Sequence, residues 1–104
     1  NRLLLLDHGK KIAEGTPRSL ISQHLEPDVV EVYGQDALAL VNSPLTQLAQ
    51  RTETSGETVF FYTANAAPLL QALSAYTGLR TLHRPANLED LFLKMTGRQI
   101  REGA

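Results

Sequence analysis

Apolar residues along this chain fall into short strand-like runs and helical stripes, punctuated mainly by Gly, Pro, Asn and Ser. Leu3 to Leu6 is a continuous apolar run. Lys11-Ile12-Ala13-Glu14 follows it across His8-Gly9-Lys10, a spacing that predicts a β-hairpin. A run that is apolar at every position suits a sheet buried on both faces, so its neighbouring strands are expected upstream of Asn1. Thr16 as N-cap and Pro17 at the first helical position then predict a short helix from Pro17 to His24, with Leu20, Ile21 and Leu25 on its apolar side.

The β-branched run Asp28-Val29-Val30-Glu31-Val32-Tyr33 predicts a strand that stops at Gly34. Asp36 is placed to cap a helical stretch through Leu38, Leu40 and Val41. Asn42-Ser43-Pro44 interrupts it, and Ser43 with Pro44 restarts a helix through Leu45, Leu48 and Ala49. Arg51 to Glu53 reads as a short edge strand, Ser55-Gly56 as a turn, and Thr58 to Thr63, apolar on both faces, as a central strand. Asn65 is expected to cap a helix bearing Leu69, Leu70, Leu73 and Tyr76, with Gly78 as its stop; Leu79 to Arg84 is a weaker strand closed by Pro85. In the last helix Asn87 is the cap and Leu88, Leu91, Phe92 and Met95 form the stripe. Glu89 and Asp90 suit its positive end, Lys94 its negative end, and Gly97 its stop.

From Asp28 to Arg84 the order is strand, helix, strand, strand, helix, strand. The expected fold class is therefore α+β: a ferredoxin-like βαββαβ unit with two helices on one face of a four-stranded antiparallel sheet. An N-terminal β-hairpin plus short helix and a C-terminal helix flank it. At 104 residues the chain is long enough to bury one core and short for two independent ones.

Composition narrows the function classes. Apolar residues make up 42% and charged residues 20%, an ordinary globular balance, and a net charge of -1 denies the chain the positive field of a nonspecific nucleic-acid binder. There is no Cys, hence no disulfide and no thiolate chemistry, which fits a reducing compartment. The longest apolar stretches, Leu3 to Leu6 and Ala37 to Val41, fall far short of the roughly 20 residues that span a bilayer.

Catalytic motifs are scarce. Gly9-Lys10-Lys11-Ile12-Ala13-Glu14-Gly15-Thr16-Pro17 has two glycines, but their spacing departs from a phosphate-binding loop and no Lys follows the second; the segment reads as hairpin instead. His8, His24 and His83 are scattered and lie in no metal-binding spacing. Glu89 and Asp90 are adjacent on a helix and point about 100° apart, which suits the helix dipole better than acid–base pairing. The five serines lie in no nucleophile elbow, and Gly34-Gln35-Asp36 supplies no Arg for an acyl-phosphate hydrolase. Charge is uneven. Arg80, Arg84, Lys94, Arg98 and Arg101 gather towards the C-terminus and Glu26, Asp28, Glu31, Asp36, Glu53 and Glu57 in the middle, a pattern suited to a solvated surface or to charge-complementary contact between two copies or with the rest of a longer protein.

Two segments, RLLLLDHGKKIAEGTPRSLI at the start and NLEDLFLKMTGRQIRE at the end, resemble the C-terminal part of ATP-binding subunits of ABC exporters, particularly the drug-resistance and nodulation-factor-export branch. The resemblance implies that residues 1–25 end a nucleotide-binding domain and that 26–104 form a C-terminal accessory domain. Glu26 to Ala86 carries no motif that aligns. The family's Walker A, Walker B, signature and switch-histidine motifs do not occur in these residues, so the fragment is expected to be non-catalytic, with no cofactor or metal of its own. The resemblance implies ATP and Mg for the parent subunit, a location on the cytoplasmic side of the inner membrane, and partners in a second copy of the subunit and a membrane-spanning permease. The expected interaction surface is the stripe Leu88, Leu91, Phe92 and Met95 with Arg98. A homodimer is expected, since Leu3 to Leu6 would offer an apolar edge to another chain. The alternative is a small-molecule-sensing ferredoxin-like module, by analogy of fold.

Overall fold

The computed structural model describes residues 2–34 and 36–96. Strands β1 (Leu3–Asp7) and β2 (Lys10–Gly15) pair antiparallel, from Leu3 opposite Gly15 to Asp7 opposite Lys10, with a register irregularity between Leu5 and Leu6. The connection is the two residues His8 and Gly9 at φ 54 and 77°; a tight turn with two left-handed residues matches the strand twist, and Gly9 adopts that conformation without a Cβ to resist it. Helix α1 (Pro17–His24) starts as its sequence predicts: the Thr16 hydroxyl accepts from the Ser19 N–H at 3.1 Å and Pro17 opens the first turn.

Four strands form the second sheet: β3 (Asp28–Gly34), β4 (Arg51–Ser55), β5 (Thr58–Thr63) and β6 (Leu79–Pro85). Their order is β4-β5-β3-β6, every neighbouring pair antiparallel, which is the ferredoxin-like arrangement. β5 is internal and β4 lies at an edge, as the apolar pattern predicts. One face of the sheet contributes Val30, Val32, Val59 and Phe61 to a core completed by Ala37, Leu40, Leu45, Ala66, Leu69 and Leu73. Each large side chain buried there stabilises the unit by about 1.5 to 3 kcal/mol.

The β3–β4 connection corrects the first predicted helix. It forms two 3-10 helices, Ala37–Asn42 and Pro44–Leu48, in place of α-helix. Pro44 lacks an N–H and holds Ser43 extended at ψ 165°, leaving two runs too short to nucleate an α-helix. Ser43 acts as the predicted cap: its hydroxyl accepts from Leu45 N at 3.2 Å and donates to the Leu40 carbonyl at 2.7 Å. Asp36, predicted to cap, sits instead at φ 67° and makes no cap hydrogen bond.

Helix α2 (Ala67–Leu73) is also shorter than the stripe suggests. The Asn65 carboxamide accepts from Ala67 N at 3.2 Å, but beyond Leu73 the chain tightens into bonds from Ala75 N to Ala72 O and from Tyr76 N to Leu73 O. Tyr76 therefore leaves the core face and is 42% exposed.

Helix α3 (Leu88–Thr96) opens on a reciprocal cap, with Asp90 N donating to Asn87 Oδ1 at 3.0 Å and Asn87 N donating to Asp90 Oδ2 at 2.8 Å. The predicted stop at Gly97 lies outside the described residues. The chain divides into two compact units: Glu26–Pro85, and residues 1–25 together with the chain from Ala86 onward. Each has its own apolar cluster, where length alone suggested one core. The ferredoxin-like unit ends at Pro85 and does not run on through α3.

Candidate functional site

The stripe singled out on α3 is largely internal. Leu91 is fully buried with Leu20 and Leu25, and Leu88 and Met95 pack half-buried on the same cluster together with Leu3, Leu5 and Ile21. Phe92 is half-buried, and Arg98 lies outside the described residues. Lys94 Nζ donates to the carbonyl of His24, the last residue of α1, placing a cation at the negative end of that helix. These residues hold α3 to α1. Among the described residues of this unit, the large apolar side chains left exposed are on β1: Leu3 and Leu5 join the cluster, while the alternate Leu4 and Leu6 are 53% and 49% exposed.

In the ferredoxin-like unit, polar chemistry collects on the sheet face opposite the 3-10 helices and α2. Strand register sets Arg51, Tyr62, Val29 and Arg84 in one row and Glu53, Phe60, Glu31 and Leu82 in the next. Arg51 bonds Glu53 at 2.7 Å and Glu26 at 3.3 Å, and its guanidinium lies 3.9 Å from the centroid of the buried Tyr62 ring. Arg84 Nε donates to Glu31, and the guanidinium lies 6.0 Å from the Phe60 centroid. The four side chains Arg51, Glu26, Arg84 and Glu31 are each about one-fifth exposed. Dense pairing at this burial strengthens each contact relative to a surface ion pair.

The sequence counts Arg84 in a C-terminal excess of cations and Glu26, Glu31 and Glu53 in a central excess of carboxylates. The fold pairs them within one unit, and His83 Nε2 stands 3.3 Å from Asp28 Oδ1 as well. Charge-complementary contact between copies therefore has less to draw on than the linear pattern suggests. Arg51 and Glu53, two apart on one strand, share a face by period alone, but Arg51–Glu26 and Arg84–Glu31 join residues 25 and 53 apart, which no local sequence signal connects.

The glycine-containing segment that approximates a phosphate loop is hairpin. Lys10 to Gly15 is β2, its backbone is committed to β1, and Lys11 Nζ pairs with Glu14 at 3.2 Å. This segment does not fit a triphosphate, and no nucleotide chemistry is assigned to it. Among the described residues no group of three or more His, Asp or Glu side chains converges in a metal-binding arrangement, and no helix is long and apolar enough to cross a membrane.

Residues 38–97, more than half of the chain, match the family described as Nodulation factor export protein NodI, C-terminal domain. The chain belongs to this family. Along 98% of its length it is 57% identical to the Nod factor export ATP-binding protein I of Cupriavidus metallidurans, and it covers 33% of that relative. The protein of the same name from Cupriavidus pinatubonensis is also 57% identical, with 31% of the relative covered, and that from Ralstonia nicotianae is 49% identical over 108 residues. The chain thus spans about a third of the length of these relatives. The NodI C-terminal match runs from the first 3-10 helix through α3 and takes in the middle of the chain, where no motif aligned.

Proposed function

We propose that this chain is the C-terminal accessory part of the ATP-binding subunit of an ABC exporter, and that it supports association or regulation of two subunits while contributing no catalytic group. The observation that carries this reading is similarity along 98% of the chain to proteins named Nod factor export ATP-binding protein I, of which the chain covers a third. Nucleotide chemistry then belongs to the other two-thirds of such a subunit, which would bind ATP and Mg. The outward leucines of β1 are in keeping with this: a two-stranded sheet exposing Leu4 and Leu6 offers an apolar face and a free edge to the rest of a larger sheet.

In this role the unit acts through effective concentration. Contacts between accessory parts hold two ATP-binding halves near one another and lower the entropic cost of their closure. They bias the closed pair only to the extent that they differ between open and closed states. The partners on this reading are a second copy of the subunit and a membrane-spanning permease, with the subunit on the cytoplasmic face of the inner membrane.

Equilibrium titration of the 104-residue chain with a fluorescent ATP analogue and Mg tests the non-catalytic assignment. No saturable binding is expected at concentrations that fill the intact subunit; binding of comparable affinity would overturn it.

A further inference from the structure

The ferredoxin-like unit contains a cleft of about 350 Å³ where β3 ends and β6 begins, with Asp36, Leu40, Ser43, Tyr76, Thr77 and Leu79 among its walls. Its size and its mixture of apolar wall and a few polar groups suit a small organic molecule. The two sides are pinned by backbone. Gly34 pairs with Leu79, and a Cβ at position 34 would stand only 2.6 Å from the Gly78 carbonyl oxygen. The two chains that lead to Asp36 on one side and come from Tyr76 and Thr77 on the other therefore pass close together at Gly34 and Gly78.

Its electrostatics have one sign. Among the described residues Asp36 is the only charged one in the lining; it is exposed, held at φ 67° and ψ 15°, and makes no cap bond to the 3-10 helix that follows. A non-glycine residue kept in the left-handed region is strained relative to the ordinary helical and extended wells. The opposite wall, Tyr76, Thr77 and Leu79, follows α2 and carries no charge. Ser43 and Thr77 bring hydroxyls, Leu40 and Leu79 bring apolar surface, and Tyr76 brings a ring that solvent reaches.

We propose that this cleft binds a small organic ammonium compound, with the cationic group against Asp36 and the carbon skeleton along Leu40, Leu79 and Tyr76. A carboxylate and an aromatic ring each favour a cation there, and among the described residues no basic side chain in the lining opposes one. The site goes beyond the accessory role and does not depend on it.

The test is an amide chemical-shift titration of the 104-residue chain with phenethylammonium, beside 2-phenylethanol and phenylacetate as neutral and anionic counterparts of similar size. Saturable shifts confined to residues 36–43 and 76–79 are expected with the ammonium compound alone. Asp36→Asn, which tolerates the left-handed conformation, is expected to weaken binding about tenfold, the loss of one charge-assisted contact. Tyr76→Leu, at an exposed position, supplies a second variant expected to bind more weakly. Absence of saturation, an equal response to the alcohol, shifts centred elsewhere, or unaltered affinity in Asp36→Asn would each overturn the proposal.

Discussion

Arg84 on β6 and Glu31 on β3 lie diagonally across the strand pair, and Arg84 Nε donates to Glu31 Oε2 with both side chains about four-fifths buried. Removing one member takes the opposite charge away from the other where both are largely desolvated. Glu31→Ala is expected to lower unfolding free energy by about 1 to 3 kcal/mol. The double variant Glu31→Ala with Arg84→Met is expected to lose less than the sum of the two single changes. Denaturant unfolding of the four-member cycle measures this coupling, and strict additivity would show that the pair contributes no coupling energy.

Gly34 gives a sharper contrast. An alanine there would meet the Gly78 carbonyl at 2.6 Å in a backbone at φ 125°, so both sterics and conformation oppose it. At Gly9 nothing lies within 4 Å and only the positive φ resists substitution. Gly9→Ala is expected to cost about 1 to 2 kcal/mol. Gly34→Ala is expected to cost clearly more, on the order of the larger losses single substitutions cause. Paired melting curves decide between them.

The cap of α3 makes a local prediction. Asn87 and Asp90 exchange two hydrogen bonds at 3.0 and 2.8 Å. Asn87→Ala is expected to cost about 1 kcal/mol, seen first as faster amide exchange in the opening turn of α3. Leu91→Ala, at the fully buried centre of the α1–α3 cluster, is expected to cost about 2 to 5 kcal/mol.

Leu4 and Leu6 supply a prediction about association. Their exposure on a two-stranded sheet offers an apolar template to another chain. Light scattering of the 104-residue chain is expected to show concentration-dependent self-association that Leu4→Lys with Leu6→Lys reduces. A wild-type chain that stays monomeric at high concentration would remove β1 as an association surface.

Much of this architecture is legible in the sequence because it rests on local signals. Thr16-Pro17 starts α1, Asn87 starts α3, a short Gly-containing connection after Asp7 joins β1 to β2, and the β-branched and aromatic run in Thr58 to Thr63, apolar on both faces, marks β5. The errors arise where local propensity competes with chain length and packing. Leu38 to Leu48 has helical composition, but Pro44 divides it below the length an α-helix needs. Tyr76 lies in phase with Leu69 and Leu73, yet the helix has already tightened and ended before it. On α3 the stripe is visible in sequence but what covers it is not: Leu88, Leu91 and Met95 meet α1, which lies some 70 residues earlier in the chain. The Arg84–Glu31 pair depends on strand register and the Arg51–Glu26 pair on tertiary approach, which a list of charges does not contain.

The accessory reading is tested most directly in the intact ATP-binding subunit, by replacing Glu26–Pro85 with a short glycine–serine linker. Leu25 and Ala86 belong to one cluster, so the excision keeps the packing of α1 and α3. Sedimentation in the presence of ATP, alongside nucleotide titration, is expected to show weaker subunit association with nucleotide affinity per subunit retained. Loss of nucleotide binding, or association and turnover both unaltered, would contradict the account.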